Sequence, residues 1–205
     1  MKKIILTVIA LFVIQSAFSQ SIAITTGMEK LNDEFQSAFN VFIPHSTTKA
    51  ASRAWVDFLK DHRGKVKTSG SDITSLNAII SEISRDTMQV YAKVSEVANG
   101  AVLVVGFQLP SGFITESTHP VEAQAIMKIL HDLALPVAKD GLKDKINVAE
   151  KAYDSKVKDN ESIVKSNEHL RSENEKMQNK IHENEREIKE NEQKINTMKT
   201  ELGTQ

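Results

Sequence analysis

The chain contains no cysteine among its 205 residues. Disulfides and paired-cysteine metal sites are therefore excluded. The thiol that a bacterial lipoprotein signal needs for its lipid anchor is missing as well. Any globular part of the protein must be stabilised by its own hydrophobic core.

The chain also lacks a large excess of charge of either sign. Its 26 lysine and arginine residues face 27 acidic residues, which gives a net charge of −1. A protein that holds a nucleic-acid backbone usually carries a basic stripe. We therefore expect no nucleic acid as a partner.

Only one long apolar run is present, and it is too short to span a bilayer. Two lysines precede the run from Ile4 to Ile14, and Ala17-Phe18-Ser19 has the small-x-small pattern that a signal peptidase recognises. Eleven residues cover about half of a bilayer core. A cleaved secretory signal over residues 1–19 is thus favoured over an uncleaved anchor. Cleavage between Ser19 and Gln20 gives a periplasmic or extracellular protein with no stable membrane anchor.

Residues 20–141 have the patterns of a small α+β domain. Ser37 to Ile43 alternates apolar side chains as a first strand does. Ser46 is a suitable N-cap for a first helix with Trp55 near its centre, which should end at Gly64. Residues 65–83 fit one or two short strands around a turn at residues 69–72.

The second half of this domain has a stronger hairpin signal. Asn99-Gly100 separates the alternating run Met88–Ala98 from the apolar run Ala101–Leu109, which should lie inside the sheet. Pro120 begins a second helix, and Pro136 should kink or end it. The fold class predicted is α+β: a small antiparallel sheet of about four to five strands packed against two helices, followed by a long C-terminal coiled-coil helix.

Residues 142–202 carry a seven-residue repeat, with residues 203–205 as a disordered end. The repeat contains no proline and no glycine, and at 1.5 Å per residue it predicts a coiled-coil helix about 90 Å long. The apolar seam consists of Leu142, Ile146, Ala149, Tyr153, Ile163, Leu170, Met177, Ile181, Ile188, Ile195, Met198 and Leu202. The polar seam positions are Lys156 and the register-setting asparagines Asn160, Asn167, Asn174, Asn184 and Asn191.

These polar positions predict a low-order, only moderately stable assembly, since a buried Asn costs stability while specifying register. The flanking charges bear on orientation. In a parallel dimer, Lys180 meets Glu185 favourably, but Glu187 meets Glu192 and Lys194 meets Lys199. An antiparallel pair, a different partner chain, a helix folded back on itself and an unpaired solvated helix all stay open.

No strong catalytic or cofactor motif is present, so we expect no catalytic residues, no cofactor and no metal site. A zinc site would use His45 and His119 with Glu116 or Asp132. His131-Asp132 is expected to be solvated surface rather than a catalytic dyad, and the loop serines Ser69, Ser71 and Ser111 are explained by turn chemistry. An apolar ligand cavity would be lined by Trp55, Phe58, Tyr91 and Phe107, which are more typical of a core.

A resemblance to other proteins rests on several segments taken together: Ala54–Lys60, Gly64-Lys65, Val90–Val94, Ser117–Pro120 and the Glu/Lys/Asn heptads. Together they resemble a group of uncharacterised exported proteins of Bacteroidota with a signal peptide, a small α+β domain and a coiled-coil tail. The resemblance implies export and this architecture, and it carries over no site.

Our expectation is a non-enzymatic exported protein with an α+β recognition domain and a tail that oligomerises or binds a partner protein. The first alternative is a small apolar-ligand carrier with a cavity between sheet and helix. A hydrolase using the loop serines and scattered histidines is a weaker third hypothesis.

Overall fold

The structure is a computed structural model that describes residues 21–203, and side chains up to residue 200. The predicted signal peptide, its cleavage bond between Ser19 and Gln20, and residues 204–205 of the predicted disordered end lie outside the described residues. Gly203, the first residue of that end, is the last residue of a helix.

The described chain is α+β, as predicted. The strands are β1 (Ala23–Leu31), β2 (Glu34–Pro44), β3 (Lys65–Ser69), β4 (Asp72–Ala78), β5 (Met88–Val97), β6 (Gly100–Leu109) and β7 (Gly112–Phe113). The helices are α1 (Thr48–Asp61) and α2 (Pro120–Gly203). The sheet order is β1-β2-β6-β5-β4-β3, with β7 also pairing β6, and every pair is antiparallel. The prediction of four to five strands was therefore too low.

The strand that sequence reasoning missed is β1. It pairs along its whole length with β2, so the strand predicted from Ser37 is the second and not the first. Asn32 and Asp33 connect the two strands, with φ values of 51° and 66°. Two successive residues with positive φ form the type I′ turn that suits the twist of a hairpin, and Asn and Asp tolerate this conformation. Six of the nine residues of β1 are exposed and only Leu31 is buried, which explains its weak apolar pattern.

The hairpin of β5 and β6 is confirmed, with a small change at its turn. Val97 pairs with Gly100, so Gly100 already belongs to β6, and Asn99 has the positive φ of 65°. A Cβ on Gly100 would lie 3.1 Å from the Cα of Pro44 and closer still to the carbonyl oxygen of Ile43. Gly100 is therefore required by a close approach of two backbones.

Helix α1 begins one residue later than predicted. The N-cap is Thr47, whose side chain accepts a hydrogen bond of 3.2 Å from the amide of Ala50, and Ser46 lies before it. At the other end Arg63 has the left-handed φ of 61°, rather than Gly64. Gly64 serves close packing instead, since a Cβ there would lie 2.8 Å from the carbonyl oxygen of Leu59.

One face of the sheet and both helices enclose a single hydrophobic core. Alternate positions of β2, β5 and β6 are buried, and α1 contributes Trp55 at its centre, which confirms packing against two helices. The buried residues are Phe39, Val41, Ile43, Met88, Val90, Ala92, Val94, Leu103, Val105 and Phe107 from these strands, with Ala51, Trp55, Leu59, Ala123, Ile126, Leu130, Ala134 and Ala138 from the helices.

The second predicted helix and the predicted tail helix are one element, because α2 does not end at Pro136. Proline removes one amide donor and leaves the carbonyl of residue 132 without its usual partner. Both Pro136 and Asp132 are exposed, so water can satisfy that carbonyl. The buried contacts of Ala134 and Ala138 on the other side of the helix continue past the proline.

The chain divides into two compact units, one up to Asn147 and one from Val148 onward. The first unit contains the sheet, α1 and the start of α2. The second unit consists of the remainder of α2. Within residues 21–203, no helix is long and apolar enough to cross a membrane.

Candidate functional sites: an exposed heptad seam and a lysine-lined groove

The predicted seam lies on α2 from Leu142 to Leu202, and its described side chains are exposed. Its large apolar members from Leu142 to Met198 have exposed fractions between 43% and 70%. The structure places the seam asparagines on the same helix, also exposed. Leu202 lies in the helix beyond the described side chains. The structure thus confirms the helix, while the coiled coil stays a prediction.

Ion pairs on the exposed part of α2 join residues three or four positions apart. Arg186 pairs with Glu190 at 3.7 Å and Lys156 with Asp159 at 3.4 Å. Such exposed pairs contribute about 0.5 kcal/mol or less each. They support a solvated helix surface but do not determine what the seam contacts.

The residues considered for a zinc site have other partners. His45 lies 3.3 Å from the Nζ of Lys145, and Glu116 accepts a hydrogen bond of 3.1 Å from Thr26. Asp132 accepts a hydrogen bond from Lys128. Among residues 21–200, no group of three or more His, Asp or Glu side chains is arranged to hold a metal ion.

Ser111 does have a histidine beside it, which the sequence could not show. Its Oγ lies 3.3 Å from Nε2 of His119, and Nδ1 of His119 lies 2.8 Å from Oγ1 of Thr118. A serine nucleophile needs a base that is itself oriented by a third group, usually a carboxylate. Here the third group is a hydroxyl, which also contacts Thr115. The arrangement stabilises the connection between β7 and the start of α2.

Ser69 and Ser71 lie at the turn between β3 and β4. The backbone carbonyl of Ser71 accepts a hydrogen bond of 3.1 Å from the amide of Val94. The role of these two serines in the described structure is that of turn residues, as expected from their place beside Gly70.

Although His131 and Asp132 are adjacent in a helix, their side chains meet. Nδ1 of His131 lies 3.4 Å from Oδ1 of Asp132, and both side chains are about half exposed. Nζ of Lys128 donates a hydrogen bond of 2.7 Å to the same carboxylate. This hydrogen bond holds the pKa of Asp132 below its ordinary value, and the hydrogen bond from His131 lowers the same pKa to a smaller extent. The hydrogen bond between Lys128 and Asp132 also raises the pKa of Lys128. The trio is a surface ion-pair network at the helix exterior.

The four aromatic residues proposed for a ligand cavity do not line one space. Trp55 stacks on Phe58 at 5.2 Å between ring centroids and meets Phe107 edge-on at 6.1 Å. These three rings fill the core by direct contact. Tyr91 lies on the other face of the sheet, beside Phe113 at 6.5 Å. The carrier hypothesis therefore finds no support at these residues.

Tyr91 instead lines a groove on the sheet face that the helices leave open. Its volume is about 530 Å³, and it lies entirely in the first unit. Outward-facing residues of β3, β4 and β5 form its floor, and the β1–β2 turn forms the opposite wall. The lining residues that matter for its chemistry are Lys30, Asp33, Lys65, Lys67, Ser69, Asp72, Thr74, Tyr91 and Lys93.

The register explains why these side chains meet. Lys67 is paired with Thr74, Thr74 with Tyr91, and Asp72 with Lys93, so all five point to the same side. Four lysines and two aspartates give the groove lining a positive net charge, although the net charge of the whole chain is −1. Sequence reasoning missed this site. The available signal was the alternation of lysine on β3 and of Tyr91 and Lys93 on β5.

No protein-family model matches this chain, and no curated protein sequence matches it.

Proposed function

We propose that this is a non-enzymatic exported protein, periplasmic or extracellular, in which the α+β unit supplies recognition and the heptad seam of α2 supplies assembly. The observation that carries the assembly role is the row of apolar side chains at heptad spacing, each about half exposed. An apolar stripe of this length on a helix is stabilised when a second helix covers it.

Assembly through this seam is expected to be reversible. Polar residues interrupt the apolar positions in every part of the seam from Lys156 to Asn191. Each buried asparagine lowers the stability of a coiled coil while restricting its register and number of strands. The proposed assembly is thus a dimer or trimer that dissociates on dilution. The clash of Glu187 with Glu192 in a parallel dimer favours antiparallel pairing.

The test is light scattering of the purified chain over a hundredfold range of concentration, using two matched double variants. The seam variant carries Ile181→Asn and Ile188→Asn, at side chains 51% and 59% exposed. The control carries Val148→Asn and Thr197→Asn, at exposed side chains two residues after the seam positions Ile146 and Ile195, away from the seam and its flanking charges. Both variants replace β-branched residues by asparagine, so their helix propensities change alike.

We expect the chain and the control to form the same dimer or trimer at high concentration, and the seam variant to remain monomeric. A chain that is monomeric throughout the range would contradict self-assembly. Equal dissociation of seam variant and control would show that the seam is not the interface.

A further inference from the structure

The groove on the open sheet face contains three lysines without an acidic partner. Lys30 pairs with Asp33 at 3.5 Å across the β1–β2 turn. Lys65, Lys67 and Lys93 form no ion pair with any carboxylate in the described part of the chain. Like charges gathered on one surface repel each other, so a ligand that neutralises them is stabilised there.

Protection of a sheet edge explains only part of this cluster. Lysines on an edge strand prevent pairing with other chains, and β3, with Lys65 and Lys67, is such an edge. Lys93 lies on β5, which is paired on one side by β4 and on the other by β6. Its charge has no such protective role, and Lys30 near the end of β1 lines the other side of the groove.

The spacing of the lysines favours an extended ligand over a single small ion. Lys67 and Lys93 are separated by two strand spacings and by one step of two residues along the strand. With strands about 4.8 Å apart and a rise of about 3.4 Å per residue, their backbone positions lie about 12 Å apart. A ligand with acid groups spread over a similar distance can meet both ammonium groups without drawing them together.

The other lining groups favour a sugar as the carrier of those acid groups. The exposed carboxylate of Asp72 forms no ion pair in the described structure and can accept hydrogen bonds, and the hydroxyls of Ser69 and Thr74 can donate or accept. Tyr91 is half-buried, with its hydroxyl hydrogen-bonded to Gln89, and offers an apolar ring surface. A sugar presents hydroxyl donors and apolar C–H faces together.

Backbone pairing argues against an extended peptide on the groove floor. Strand β5 and residues 72–75 of β4 are paired on both sides, so a peptide could add as a new strand only at the free edge of β3, beside the groove floor. Recognition over β4 and β5 therefore uses side chains, which an oligosaccharide also does.

We propose that this groove binds an acidic oligosaccharide, with Lys67 and Lys93 meeting acid groups on separate sugar units, Asp72 accepting hydrogen bonds from sugar hydroxyls, and Tyr91 packing on a sugar face. The inference deepens the recognition role proposed for the α+β unit and rests on it. The acid groups are carboxylates or sulfates, which lysine binds alike as a point charge.

The test is isothermal titration calorimetry of the full chain at low salt. The four probes are tetragalacturonate, its full methyl ester, a sulfated tetrasaccharide and pentaglutamate. The variants are Lys67→Gln with Lys93→Gln, the charge-retaining Lys93→Arg, and Lys49→Gln as control. Lys49 is exposed on α1, which packs on the opposite face of the sheet. Circular dichroism verifies that each variant is folded.

We expect at least one acidic tetrasaccharide to bind, and which one binds identifies the acid group. Binding should weaken about tenfold or more in the double Gln variant, remain in Lys93→Arg and be unchanged in Lys49→Gln. The methyl ester should bind at least tenfold more weakly than tetragalacturonate if the carboxylate is the recognised group. Failure of both acidic sugars to bind would overturn the inference, as would insensitivity to the double variant or equal binding of pentaglutamate. Light scattering of the same samples tests the assembly role separately. Assembly through the heptad seam does not involve the groove, so either proposal can fail without the other.

Discussion

Replacing Gly141 by alanine should destabilise the α+β unit, although alanine is the better helix former. Gly141 lies inside α2, where the exchange alone would stabilise a solvated helix by about 1 kcal/mol. In the structure, a Cβ at this position would lie 2.8 Å from the carbonyl carbon of His45 and closer still to its oxygen. A real Cβ does not approach backbone atoms that closely, so one of the two segments must move.

The segment around His45 has little freedom to move. His45 has a φ of 60°, and its amide donates a hydrogen bond of 2.7 Å to the carbonyl of Asn99. Ser46, which follows it, is buried. Overpacking against such a constrained backbone costs about 1–3 kcal/mol. At the upper end of that range, the propensity gain leaves a net loss of about 2 kcal/mol.

Urea unfolding followed by the fluorescence of Trp55 measures this loss. Trp55 is the only tryptophan and is buried in the core of the same unit. A loss of about 2 kcal/mol lowers the urea midpoint by about 1 M when m is about 2 kcal/mol/M. Gly27→Ala is the control, since a Cβ there meets only the side chain of Asn40 at 3.8 Å. A Gly141→Ala variant more stable than the parent would refute the close contact.

Two further predictions concern the core and the surface charges. Phe107→Ala should lower the free energy of unfolding by about 4 kcal/mol because Phe107 is fully buried. Phe35→Ala, at a side chain 73% exposed, should change it by less than about 0.5 kcal/mol, and denaturant melts of both variants measure the difference. Lys128→Gln should raise the pKa of Asp132 toward its ordinary value, because the hydrogen bond that lowers it is lost. A depressed carboxyl pKa stabilises the fold above the unfolded-state pKa, and this contribution is lost as the pH falls through the folded-state value. In the variant a smaller part of stability is therefore lost below about pH 4, and carboxyl NMR titration reports the pKa directly.

The elements that could be predicted from sequence are those whose local pattern agrees with their packing. The alternation of β5 and the apolar β6 predicted a hairpin with a buried inner face, and both features are confirmed. The helix start at Pro120 is confirmed for the same reason. In each case the pattern of neighbouring residues shows which side chains of the element are buried.

The missed elements depend on contacts that their own apolar patterns do not reveal. Strand β1 is mostly exposed, and it is stabilised by pairing with β2 rather than by an apolar face of its own. The continuity of α2 through Pro136 depends on buried alanines on one side and solvent on the other, which the proline alone does not reveal. Tertiary contacts override the local signal at both places.

The lysine-lined groove could not be located from sequence because its members come from four strands and a turn. The Lys65-Val66-Lys67 alternation was visible, but a one-residue change of register reverses the face on which side chains lie. Only the observed pairing of Lys67 with Thr74, and of Asp72 with Lys93, places these charges together. The heptad seam, by contrast, is read from one helix and needs no knowledge of register.

Strand β5 has one buried face and one exposed face, which separate stability from the recognition role proposed for the groove. Its even-numbered residues from Met88 to Val94 are buried in the core, whereas Tyr91 and Lys93 between them line the groove. Because successive side chains of a strand point to opposite faces, one ten-residue strand serves both roles without a shared side chain. Changes at Val90 should therefore act on the free energy of unfolding, and changes at Lys93 on ligand affinity. A core strand paired on both sides also fixes the spacing of the groove residues, as the ligand with widely spaced acid groups proposed for this face requires.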